Sequence, residues 1–211
     1  MSALAGGSSM SAALGLVALA LVPLALMTLT SFAKIAVVFS ALRNALGASD
    51  VPSSAIVSAL ALALSVYTMG PVAEAVAARS LALEPARRDT LEGLLDSARE
   101  PARGFLQKNA GAAETKMLLS LSADRGVSRS ADDFSVLWAS FALVELKEAF
   151  ELGFYVYLPF LVLDLLVGHA LLALGVVGLS PALVALPFKL LLFVAADGFL
   201  LVTRALLMSY G

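Results

Sequence analysis

Four long apolar runs constrain this chain before any motif does: Ala12–Phe32, Ala55–Ala78, Leu152–Leu174 and Ala182–Met208. A helix of about 20 apolar residues is about 30 Å long, the thickness of a bilayer's hydrocarbon core. Such runs can be satisfied as membrane helices or as helices packed on other helices, because strands of that length would expose unpaired edges in lipid. The expected fold is therefore all-α, with two membrane-associated hairpin regions flanking a small helical insert. Composition agrees: 60% of the residues are hydrophobic, 14% are charged and the mean hydropathy is +0.93.

The charges are concentrated in one stretch. Between Arg79 and Asp133 stand nine basic and nine acidic side chains, a soluble and net-neutral insert. This divides the chain into an N-terminal apolar region (1–78, with spans near 12–32 and 55–78), the charged insert (79–133), and a long helix with a C-terminal apolar hairpin (134–211). Within the insert, EPARRDTLEGLLDSA and REPARGFLQKNA each place a proline after an acidic residue, as helix starts do, and a third short helix is expected over Glu114–Leu121. Ser130 and Asp133 have the spacing of a capping box ahead of the helix FSVLWASFALVELKEAFELGF. Pro52 and the paired serines after it read as a turn and helix start, and Gly70–Pro71 should kink or end the first part of the second span. Pro23, Pro159 and Pro187 also interrupt apolar runs and tend to bend them. Only GVVGLSP separates the last two runs, so they form a tight hairpin.

Several function classes drop out. The net charge of −2 offers no basic field for nucleic acid. There is no cysteine, and the single His169 has no companion at metal-binding spacing, so neither a cofactor nor a metal is expected. No phosphate-binding glycine loop is present. Residues 1–33 carry no charge, so the first run lacks the basic start of a secretory signal and reads as a retained span.

The informative residues are charges in apolar surroundings: Lys34, Arg43, Asp164, His169, Lys189, Asp197 and Arg204. Each Asp, Lys or Arg at a membrane-helix centre costs about 2.5–3.5 kcal/mol on insertion scales, so such groups face protein, water or each other. Pairing at helix–helix contacts is the preferred expectation, ahead of a proton path. On an unbroken helix, Asp197 and Arg204 share a face while Lys189 and Asp197 do not, and Asp164 and His169 are not stacked. In ELKEAFEL, Glu145, Glu148 and Glu151 share a helix face, with Lys147 between them. That set is expected to be a polar face or an intersubunit salt-bridge set rather than an acid–base or metal site. Pairing leaves two other readings in view: a small proton-coupled transporter using Asp164, His169, Lys189 and Asp197, and a purely structural membrane scaffold.

Longer motifs then point to a family. AFELGFYVYLPFLVLDLLV (Ala149–Val167), LSPALVALPFKLLLFVAADGFLL (Leu179–Leu201), LTSFAKIAVVFSALRNALG (Leu29–Gly47), EPARGFLQKNA and VELKEAF resemble the FliP/SctR family of type III secretion export-gate subunits, from about residue 14 onward. The resemblance implies a non-enzymatic subunit. Several copies would associate with two smaller membrane proteins, of FliQ/SctS and FliR/SctT type, and with other export-apparatus components in the bacterial inner membrane. Together they would form a helical pore through which unfolded proteins leave the cytoplasm. It also implies that the hairpins stack on neighbouring subunits, making Lys34, Arg43, Glu145, Lys147, Glu148, Asp164, Lys189 and Asp197 assembly contacts. Many relatives carry a methionine-rich constriction loop where this chain has Val176, Val177, Gly178 and Leu179. The uncharged start leans towards the injectisome branch over the flagellar one. The nine basic residues of the insert would place it in the cytoplasm by positive-inside counting, whereas the resemblance implies an extracytoplasmic insert. The latter is the expectation adopted.

Overall fold

The computed structural model describes residues 16, 20, 23, 24, 27–47, 52–88, 90–176 and 178–210, so most of the first apolar run and Val177 lie outside the described residues. From Phe32 onward, all regular elements among them are helices: α1 (Phe32–Leu46), α2 (Ser54–Thr68), α3 (Gly70–Ala82), α4 (Pro85–Arg88), α5 (Leu91–Asn109), α6 (Ala112–Asp124), α7 (Phe134–Ala173), α8 (Pro181–Ala195) and α9 (Gly198–Met208).

The organising element is α7, 40 residues long and about 60 Å from end to end. That is about twice a bilayer core. Its first half packs against α5 and α6 of the insert, and its second half is the third apolar run, paired with α8. Long helix and span are thus one continuous helix. Helix α1 lies along α7 and makes the most extensive packing in the molecule. Its inward stripe (Ile35, Val38, Phe39, Leu42, Leu46) recurs at three- and four-residue intervals, the period that keeps one helical face on a core. It ends at Gly47, whose φ of 75° suits a residue without Cβ, and whose N–H donates to the Asn44 carbonyl. Helix α2 starts as its sequence indicates, with Ser53 accepting from the Ile56 N–H, and buries Val57, Ala61 and Ser65.

Gly70–Pro71 does break the second span. Helices α2 and α3 meet at 58°, and α3 continues to Ala82, where it packs on α5. In the insert, Pro85 opens the short α4 as expected, whereas the start expected at Pro101 lies inside a single helix, α5. It runs through Pro101 after a Thr90 cap that accepts from the Gly93 N–H. The N-cap position of α7 is Asp133 rather than Ser130, and its side chain makes no bond to the helix's first turn. Asp133 accepts from the Ser130 N–H at 2.9 Å, which is half of a capping box closed ahead of the helix. A second small core of Leu106, Leu137 and Phe141 joins α5 to α7, reinforced by edge-on packing of Phe105 on Phe141 at 5.5 Å between centroids.

The last run holds the largest departure from expectation. It is two helices, α8 and α9, bent by 60°, and the break falls at Asp197, while α8 continues through Pro187 and α7 through Pro159. Asp197 sits at φ 48°, ψ 45°, the one positive φ outside glycine among the described residues. Gly198 follows, and a Cβ there would run into the Phe193 ring. Aspartate is one of the few side chains that adopt the left-handed region, and Gly198 leaves the space that the Phe193 ring occupies, so the pair breaks the helix here. The facial relation of Asp197 to Lys189, drawn for a straight helix, therefore does not apply, whereas Arg204 lies on the helix that Asp197 opens.

Candidate functional site: two buried ion networks on one long helix

The first network is built on Lys34. The side chain springs from the first turn of α1, is 1% exposed, and faces Glu145 at 3.0 Å and Glu148 at 2.7 Å. Glu145 is itself 4% exposed, whereas Glu148 is 41% exposed and reaches solvent. The third ammonium proton goes to Ser209 Oγ at 3.1 Å. The Tyr210 ring covers the group, with Nζ 4.0 Å from its centroid, a cation–π contact. Tyr210 also donates its hydroxyl to Glu145. Burial, then the Glu145 and Glu148 carboxylates, push that phenol far above its ordinary value, so it remains a donor. All three ammonium protons of Lys34 are used, the condition under which a buried charge is tolerated.

The second network joins the hairpin. Lys189 on α8 pairs with Asp164 on α7 at 2.8 Å and donates to the Ala45 carbonyl at 2.9 Å. Ala45 lies in the last turn of α1, so the ammonium also meets the negative end of that helix. Lys189 is buried and Asp164 is 28% exposed on its side chain. Asp164 Oδ1 is buried without a hydrogen-bond partner, as is Arg43 Nε.

The remaining charges are placed differently. Lys147 is exposed and touches Glu114 at 3.4 Å. Asp197 and Arg204 are exposed, and His169 is exposed with Nδ1 2.7 Å from the Leu165 carbonyl of its own helix. Of the four residues of the transporter reading, Asp164 and Lys189 come together, while His169 and Asp197 join neither network. Among the described residues no cluster could hold a metal ion. Of the loop residues, Val176, Gly178 and Leu179 are described and Leu179 is exposed, whereas Val177 lies outside the described residues.

Two participants were not anticipated from the sequence: the Ser209–Tyr210 tail and the Ala45 carbonyl. A tyrosine one residue from an apolar chain end carries no pattern of its own, and a backbone acceptor has no signature. What the networks leave uncovered is also telling. Phe150, Phe154, Leu166, Leu191, Val194 and Leu200 are all more than half exposed on α7, α8 and α9. By length and composition, α7 can cross a membrane, and the two bent pairs bring the number of candidate spans to three.

The profile of the FliP family matches residues 15–206. The chain belongs to the FliP family. Its FliP-family relatives come from virulence and flagellar systems alike. Yop proteins translocation protein R of Yersinia pestis is 42% identical over 203 residues, covering 92% of each chain. Pathogenicity-related ORF2 of Xanthomonas campestris pv. glycines is 40% identical over 199 residues, 91% of this chain and 92% of its own. Flagellar biosynthetic protein FliP of Pectobacterium carotovorum subsp. carotovorum is 35% identical over 196 residues, 92% of this chain and 76% of its own. As a FliP-family member the chain is a structural component of the type III protein export gate, not an enzyme.

Proposed function

We propose that the chain is a wall-forming subunit of a type III secretion export gate in the bacterial inner membrane. Several copies would assemble with two smaller membrane proteins of FliQ/SctS and FliR/SctT type around a path for unfolded proteins. The observation that carries this reading is the contrast between satisfied charges and unsatisfied apolar surface. Lys34 and Lys189 find their partners inside the chain, while whole faces of α7, α8 and α9 remain open. Contiguous apolar faces of that extent are covered by lipid or by neighbouring helices. A proton path is not favoured, since Asp164 and Lys189 neutralise one another and His169 bonds its own helix. The loop around Val176–Leu179 is proposed to face the path, with small apolar side chains forming the constriction. Similarity favours the injectisome branch, at 42% identity to the Yersinia protein against 35% to the flagellar one.

Native mass spectrometry of the detergent-extracted chain, alone and co-expressed with candidate small membrane partners, tests this. A multimer that takes up the partners is expected. A stable monomer showing substrate-dependent proton uptake would overturn the reading in favour of a transporter.

A further inference from the structure

The connection between α6 and α7 reads RGVSRSADD over 125–133 and brings Arg125 and Arg129 to one cleft. The cleft, of about 350 Å³, lies between the end of α6 and the first turns of α7. Ser122 and Ser135 share its polar wall with the arginines, and Leu118, Val127 and Val136 line its apolar side.

Both arginines are exposed, and neither joins an ion pair among the described residues. Three aspartates nevertheless stand within four residues of one or the other: Asp124, Asp132 and Asp133. Asp132 accepts instead from the Gln107 amide at 2.9 Å, and Asp133 from the Ser130 N–H at 2.9 Å. Arg129 donates to the Ser135 hydroxyl, a neutral partner that leaves its charge uncompensated. With its oxygen accepting from Arg129, that hydroxyl keeps its own proton to donate into the cleft. Ser122 adds no donor, because its proton goes to the Leu118 carbonyl.

The two helix ends that meet here are unequal. At the end of α6, Gly126 takes a φ of 71°, Val127 N–H donates to the Ser122 carbonyl and Gly126 N–H to that of Ala123. Two of the last carbonyls of α6 are thus already paired. At the start of α7, the Asp133 side chain is turned back to Ser130, and the N–H groups of Phe134 and Ser135 have no acceptor among the described residues. The first turn of α7 therefore adds donors to the two guanidiniums, which carry the site.

We propose that this cleft docks an acidic peptide segment of a protein partner, a carboxylate side chain with an apolar neighbour. Arg125 and Arg129 hold the carboxylate through charge-assisted bonds, the Ser135 hydroxyl donates one more, and the apolar neighbour lies against Leu118 and Val127. A free inorganic anion would leave that apolar side bare. A lipid phosphate does not reach the cleft. Ser135 stands seventeen residues before Leu152, where the apolar half of α7 begins, about 25 Å along the helix, whereas the headgroup layer is only about 5–8 Å deep.

The single tryptophan, Trp138, stands one turn beyond Ser135 on α7, so its fluorescence reports on the cleft. The full-length chain in detergent is titrated with a blocked tetrapeptide carrying glutamate then leucine between glycines, with its glutamine counterpart, and with inorganic phosphate. A saturable change is expected with the glutamate peptide, about tenfold tighter than with the glutamine one, the effect of one charge-assisted hydrogen bond. Arg125→Gln and Arg129→Gln should each weaken the glutamate peptide about tenfold and leave the glutamine peptide unchanged, a split that a general loss of structure would not produce. The absence of a saturable change, equal binding of the two peptides, or equal binding by the parent chain and both variants would overturn the proposal. Phosphate binding tighter than the glutamate peptide would overturn it too, making the cleft a site for a free anion. Arg129 also bonds Ser135, so if Arg129→Gln is not recovered folded, Arg125→Gln decides alone.

Discussion

Lys34→Met offers the sharpest test of the first network. The substitution keeps an unbranched chain of similar volume and removes the ammonium with its charge and hydrogen bonds, so packing along α1 is preserved. In its place it leaves Glu145, 4% exposed and formerly 3.0 Å from the ammonium. At that distance, with an effective dielectric near 20, the gross attraction is about 5 kcal/mol. Glu148 contributes less to the loss, since at 41% exposure it can turn to water. Breaking a buried pair by deleting one partner costs about 3–5 kcal/mol, and the Tyr210 hydroxyl offsets part of that by continuing to donate to Glu145. The expected destabilisation is therefore about 3 kcal/mol. It would be measured by reversible denaturant unfolding of the purified chain in detergent, alongside Glu145→Gln and the double variant. The double variant should be less destabilised than the sum of the two singles by about 1–3 kcal/mol, because the second substitution removes the stranded charge. A loss below about 1 kcal/mol for Lys34→Met, or strict additivity in the cycle, would refute the claim that Lys34 is a buried counter-ion.

Three further outcomes follow from the same contacts. Lys189→Met should destabilise by about 1–3 kcal/mol, less than Lys34→Met, because the stranded Asp164 is 28% exposed and can be rehydrated; the same unfolding assay ranks the two. Asp197→Gly should be neutral or stabilising, because the backbone is held at φ 48° where a β-carbon is penalised, and Asp197→Ala should cost up to about 1 kcal/mol, because alanine keeps the β-carbon and lacks the short polar side chain that lets aspartate adopt the left-handed region; a gain from alanine would contradict the bend. Arg87→Ala, which breaks a pair with Asp96 whose members are both more than half exposed, should change stability by less than about 1 kcal/mol in a thermal melt.

How much of this was legible depended on whether the deciding contact was local. Helical class, the insert, the Ser53 start of α2 and the break at Gly70–Pro71 all follow from short-range chemistry and were readable. The Asp164–Lys189 pair was nearly so. Asp164 lies ten residues before the Leu174 cap of α7 and Lys189 nine after the Ser180 cap of α8. Two residues equidistant from a tight turn must face each other across a hairpin, so counting outward from the turn would have paired them. Comparing each only with charges in its own apolar run, Asp164 with His169 and Lys189 with Asp197, leaves this out of view. The bend falls at Asp197 and not at Pro187, the more conspicuous helix breaker, because α8 carries Pro187 within it while aspartate accepts left-handed backbone. Lys34 with Glu145 had no such route. Their helices are not hairpin neighbours, and which lysine meets which glutamate is settled only by how α1 slides along α7.

That sliding is what the two networks together restrain. Glu145 and Asp164 stand nineteen residues apart on α7, about 28 Å. Lys34 near the start of α1 bonds the first, and Ala45 near its end joins the second through Lys189. Between them, the contact is made by Ile35, Val38, Phe39 and Leu42, side chains that would pack nearly as well one turn out of register. Apolar packing fixes how close two helices come but discriminates weakly between offsets, whereas a one-turn slip of about 5 Å would strand a buried ammonium at each end. The α8–α9 bend fits the same frame, since Lys189 anchors one arm at Asp164 and the Ser209–Tyr210 tail anchors the other at Lys34 and Glu145. A straight α8–α9 would carry the tail past the first network; the 60° turn shortens the span so that both ends meet their partners. The lysines in apolar helices, costly as isolated charges, thus act as paired bolts that give three otherwise slippery helices one register.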